Sequence, residues 1–81
     1  MAVTYMVWLE NCHWLLQTYR TSRESAVLAY GEGRTNDRSN ILPGEVKAVC
    51  ARRFGSDHVY TYRVDRTRLR TVVTLIAEAR L

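Results

Sequence analysis

The strongest constraint on this chain's fold is a pair of strand-forming segments separated by a short arginine-rich turn. His58-Val-Tyr-Thr-Tyr-Arg-Val64 alternates in polarity and is built from residues that favour strands. The segment after it, Leu69 to Leu81, fits two periods. Leu69, Val72, Val73 and Ile76 make a helical stripe and Ala77-Glu78-Ala79 favours helix, whereas Arg70-Thr-Val-Val-Thr-Leu-Ile76 favours strand. Pairing separates the two. With Val64 opposite Leu69, Tyr60, Tyr62, Val64, Leu69, Val73 and Leu75 share one face with Thr71, which predicts an antiparallel hairpin. The other face then carries Val59, Thr61, Arg63, Arg68, Arg70, Val72 and Ile76, with Arg63 opposite Arg70. Like charges so placed repel. That face is either solvated or holds an anion, a phosphate or a partner's carboxylates, between guanidinium groups.

A short helix is expected just before this hairpin, from Pro43 to Phe54. Proline suits a first helical position, because its missing N–H would be unpaired there anyway. Val46, Val49, Cys50 and Phe54 then recur on one side, and Gly55 stands where a helix commonly exits. Arg53 falls inside the apolar stripe, as a side chain that lays its stem on the core and its charge in water.

In the N-terminal half, Val3-Thr-Tyr-Met-Val-Trp-Leu9 and His13 to Arg20 read as a second hairpin around Glu10-Asn11-Cys12. A two-residue loop at Asn11 and Cys12 puts Val3, Tyr5, Val7, Leu9, Trp14 and Leu16 on a core face. Thr4, Met6, Trp8, His13, Leu15, Gln17 and Tyr19 take the other, which is too apolar for plain solvent exposure. A three-residue loop would swap the faces. Thr21-Ser22-Arg23-Glu24 then signals a helix start, with Ala26, Val27 and Tyr30 on one side and Gly31 ending the helix after two turns. The polar, glycine-containing stretch from Gly31 to Asn40 is a crossover between halves, or a binding loop carrying Arg34 and Arg38.

The order is β-β-α, loop, α-β-β. The expected fold is α+β: a two-layer sandwich in which a four-stranded, mostly antiparallel sheet carries two short helices on one face. At 81 residues the chain has room for a single domain (1–81) with one core, and a core that small makes a partner or a second copy plausible. Hydrophobic residues at 47% against 25% charged exclude a disordered chain.

No arrangement of residues carries a reaction. Cys12, His13, Cys50 and His58 are metal-binding types, but neither C-x-x-C nor H-x-x-x-H spacing occurs. Cys50 has no base near it in sequence, Asp57-His58 is two members of a triad without a third, and Gly31-x-Gly33 neither follows a strand nor opens a helix. No enzyme activity, metal or cofactor is expected.

The net charge of +4 lies entirely in residues 41–81, where eight basic residues meet four acids, against four and four in residues 1–40. Eleven of the twelve basic residues are arginine. Such a balance favours acidic partners. The expected function is surface occupation on a protein or nucleoprotein partner. Met6, Trp8, Leu15 and Tyr19 would be the apolar anchors of an open sheet face, and Arg63, Arg66, Arg68 and Arg70 the contacts to acidic groups or phosphate. A second copy of the chain is one such partner. On size and style alone, the chain matches phage and mobile-element inhibitors of host nucleic-acid machinery, anti-CRISPR proteins among them. The alternative is a nucleic-acid-binding domain that uses the arginine-rich hairpin with Tyr60 and Tyr62 as a stacking platform. No run is long enough to span a bilayer and no signal-peptide pattern opens the chain, so a cytoplasmic protein with free thiols is expected.

Overall fold

The computed structural model describes residues 3–33 and 41–81, and of residues 13 and 14 only the backbone. The N-terminal hairpin is formed by β1 (Tyr5–Leu9) and β2 (Cys12–Tyr19) around a tight turn at Glu10 and Asn11. Helix α1 (Arg23–Glu32) follows, capped by Ser22, whose hydroxyl accepts from the Ser25 amide at 3.3 Å. Glu24 places negative charge in the first turn, where the amide dipoles favour it. The expected stop at Gly31 comes two residues later, at Gly33. Gly31 stays helical for a packing reason: a Cβ there would stand 2.8 Å from Val64 Cγ1.

The expected Pro43–Phe54 helix does not form. Leu42 to Glu45 make a β-turn closed by the Glu45 amide on the Leu42 carbonyl at 3.0 Å, with Gly44 at φ +93°. Proline second and a left-handed glycine third are what a type II turn requires. Strand β3 (Val46–Arg53) begins directly after it. A second turn, closed by the Ser56 amide on the Arg53 carbonyl at 3.0 Å, leads into β4 (His58–Arg66). The last strand is β5 (Thr71–Arg80), as the pairing argument expects. Val46, Val49 and Cys50 satisfy a helical stripe and a short strand equally, and the backbone groups decide between them. As a strand, β3 pairs antiparallel with β1 on one edge and with β4 on the other.

Among the described residues the result is an α+β fold with one five-stranded antiparallel sheet, in the order β2-β1-β3-β4-β5, and one helix, instead of four strands and two helices. Residues 34–40, which include Arg34 and Arg38 of the expected crossover, lie outside the described residues.

Two registers differ from the expected ones. In the first hairpin, Leu9 faces Cys12 and Val7 faces Gln17, so residues 13–16 on β2 stand against Trp8 alone on β1. This bulge, and not the loop length, swaps the β2 faces: Tyr5 faces Tyr19, and Met6 faces Thr18. In the second hairpin, the turn lies farther out. Thr67 to Arg70 close it, with the Thr67 amide and hydroxyl both donating to the Arg70 carbonyl at 2.9 and 2.6 Å. Arg66 is held in β4 because it exchanges backbone bonds with Gly44 and Glu45, at 2.6 and 3.0 Å. Val64 therefore faces Val73, and Arg63 faces Thr74 in place of Arg70.

The core lies between α1 and one face of the sheet. Val7, Leu9, Tyr19, Val49, Ala51, Tyr62 and Val64 meet Ala26, Val27 and Tyr30 of the helix, with Ile41 fully buried beside them. The Tyr30 hydroxyl donates to the Leu15 carbonyl at 2.8 Å, which fixes the helix over the bulged strand.

Candidate functional site

Alternation along the strands leaves a second face opposite α1. Since Val7 and Leu9 point to the core, Met6 and Trp8 point away from it, and the β1–β3 register sets Arg52 opposite Met6 and Cys50 opposite Trp8. The β3–β4 register continues the row with Val59, Thr61 and Arg63, and β5 adds Val72 and Thr74. Leu16 (42% exposed), Val46 and Val72 are exposed large apolar side chains. Among the described residues no helix lies on this side.

Near one end of the face, Met6, Trp8, Leu16, Arg52 and Leu81 line a shallow cavity of about 220 Å³. Leu16 belongs to one edge strand and Leu81 follows the other, so the sheet is twisted enough to bring its two edges to a common depression. The Leu81 amide donates to the Asp57 carbonyl at 2.8 Å, which ties the chain's last residue to the β3–β4 turn. The cavity has an apolar floor and a guanidinium among its lining groups. It fits an apolar side chain whose neighbour carries a carboxylate.

Of the anchors expected from the sequence, Met6 and Trp8 line this cavity, while Leu15 and Tyr19 do not. The bulge turns Leu15 and Tyr19 under α1, where Tyr19 is buried and Leu15 packs against the core. The four arginines are not one patch. Arg63 is exposed on the uncovered face, and Arg68 and Arg70 are exposed at the β4–β5 turn. Arg66 is turned inward, its Nη1 donating to the Ile41 carbonyl at 2.6 Å, so it fastens the chain at the buried Ile41.

Tyr60 and Tyr62 lie on the helix side. The Arg23 guanidinium stacks 3.5 Å over the Tyr60 ring and its Nε donates to the Tyr62 hydroxyl at 2.7 Å. Burial works against that charge, but the bond to Tyr62 and the neighbouring Tyr60 and Tyr5 outweigh it and raise the Arg23 pKa. His58 stacks on Tyr60 at 4.5 Å and meets Glu78 at 3.1 Å. The tyrosines thus belong to a ladder of side chains under the helix N-terminus, and the nucleic-acid platform expected of them lacks its free rings. Arg53 is exposed at the end of β3.

Cys50 is buried and stands opposite Trp8 in the β1–β3 register, its sulfur 3.8 Å from the Thr61 hydroxyl. Burial pushes its pKa up, only partly offset by that contact. Cys12 and Cys50 are free, and among the described residues no three His, Cys, Asp or Glu side chains come together as a metal site. No helix among them is long and apolar enough to cross a membrane.

Sequence reasoning missed Leu16, Arg52 and Leu81. Arg52 was hidden by the helical reading of its segment, and Leu16 by the bulge. The available signal was Pro43-Gly44, a turn dipeptide that argues against a helix starting there. Comparison with protein-family models, with curated proteins and with solved structures finds no match to this chain.

Proposed function

We propose that this chain is a non-enzymatic binding domain that occupies a partner protein with the sheet face opposite α1. The observation that carries this reading is the cavity between Met6, Trp8, Leu16, Arg52 and Leu81, apolar but for one guanidinium, on a face that no described helix covers. Tryptophan, methionine and arginine are the types enriched at the centres of protein interfaces. The partner would seat an apolar side chain in the cavity and direct an acidic group to Arg52, with Arg63 a further contact on the same face. In its finer form the target is a nucleoprotein machine of a host cell, and the chain a phage or mobile-element inhibitor working in the cytoplasm, as anti-CRISPR proteins do. Its support is the basic excess of residues 41–81.

The test is capture from host lysate on wild-type, Trp8→Ala and Arg52→Glu baits, read by mass spectrometry. A partner held by the wild type and lost from both variants supports the reading; retention by both defeats it. Titration of labelled single- and double-stranded nucleic acid across a salt series separates the alternative. Direct binding by Arg63, Arg68 and Arg70 would weaken steeply with salt and survive Trp8→Ala.

A further inference from the structure

The two edges of the sheet are unlike. On β2, the edge is interrupted by the bulge at residues 13–16. On β5, nine of the ten residues pair with β4, and Ile76 is the one extra residue. An edge strand presents unpaired N–H and C=O groups to a further strand, and proteins usually blunt such an edge with lysine, proline, inward charge or a bulge. Residues 71–75 of β5 contain none of these; the bulge falls at Ile76, and the helix-side charges Glu78 and Arg80 come after it. Leu75 is 40% exposed and Ile76 56%. Nothing in the described fold lies outside this strand.

We propose that β5 pairs antiparallel with β5 of a second copy about a two-fold axis, joining two sheets into one. Face matching selects the register. Thr71, Val73 and Leu75 share the helix side with Glu78 and Arg80, because their partners on β4 do. Val72, Thr74, Ala77 and Ala79 take the other side, and Ile76 is the added residue between the two runs. An antiparallel partner keeps like faces opposed over the whole strand when Leu75 of one copy stands opposite Ile76 of the other. Val73 then meets Glu78, Thr71 meets Arg80, and no two like charges oppose each other. The exposed side chains of Leu75 and Ile76 meet at the axis, the centre of the interface.

Ten strand residues span about 33 Å of edge, and among the described residues none pairs with its outer side. The axis leaves both helices on one side and joins the two uncovered faces on the other. The dimer therefore presents the Trp8 cavity twice, to a partner that is itself paired or repeated.

Sedimentation equilibrium from about 1 µM to about 1 mM tests this, with a dimer expected within that range. Leu75→Glu and Ile76→Lys should each weaken self-association at least about tenfold, by setting a charge against an apolar side chain at the axis. Mixed together they should restore it, since Glu at one position then faces Lys at the other, and that rescue also shows both variants are folded. Trp8→Ala should dimerise as the wild type does, which separates this interface from the proposed partner face. A chain monomeric at the top of the range overturns the proposal and leaves the edge to an extended segment of another protein. Variants that dimerise unchanged, or that fail to complement each other, overturn it as well.

Discussion

The two faces of the sheet come from the same strands, yet they do opposite things. On the helix side, Val7, Val49, Ala51 and Val64 are fully buried and every one is small or β-branched. This lets α1 lie close enough that Gly31 has no room for a side chain. Across the same backbone, Met6, Trp8, Arg52, Arg63 and Val72 alternate with them and meet no described helix. Burial of the first set stabilises the fold, and the second set contributes less to it. The lesson is that a sheet's apolar content does not tell which face is core. The helix decides, by covering one.

Four substitutions, one of them read against a fifth, would break or sharpen this division. Ile41→Ala removes a fully buried side chain from the covered side and should cost the most, about 3 kcal/mol by denaturant unfolding. Gly31→Val should follow at about 2 kcal/mol, since its Cβ already meets Val64 and the helix must lift; a neutral result would mean that α1 is not seated as described. Arg23→Met keeps the stem but loses the Tyr62 bond and the stacked charge over Tyr60, and should lower stability by about 1 kcal/mol. Its thermal midpoint against that of Tyr62→Phe would show how much of the loss is the hydrogen bond. Val72→Thr, on the uncovered side, should change stability by no more than about 0.5 kcal/mol. A loss as large as that of Ile41→Ala would show that this face is covered after all.

Much of the covered-face arrangement is legible from alternation. Tyr60, Tyr62, Val64, Val73 and Leu75 fall on one side as their spacing requires, and Met6 and Trp8 on the other, because the strand period is two whatever the neighbours do. The cap at Ser22 is legible too, since it depends on residues within one turn. Leu15 and Tyr19 were not, because a bulge changes which residues share a face without leaving a local mark in composition. The repulsion expected between Arg63 and Arg70 vanished for a similar reason. Backbone bonds from Gly44 and Glu45 to Arg66 extend β4 and push the turn outward, and those partners lie some twenty residues upstream.

By itself, then, the chain's order of residues determined that its two ends form hairpins, where a helix begins between them, and that the last segment is a strand. These follow from short-range propensity, capping and a period of two. Only the tertiary structure decided that Val46 to Arg53 is the central strand, that among the described residues α1 alone covers one face of the sheet, and that Leu16, Arg52 and Leu81 meet beside Trp8. Each of those outcomes rests on hydrogen bonds and packing between segments distant in the chain. A stretch whose own preferences are balanced adopts whichever form satisfies the backbone groups of its neighbours.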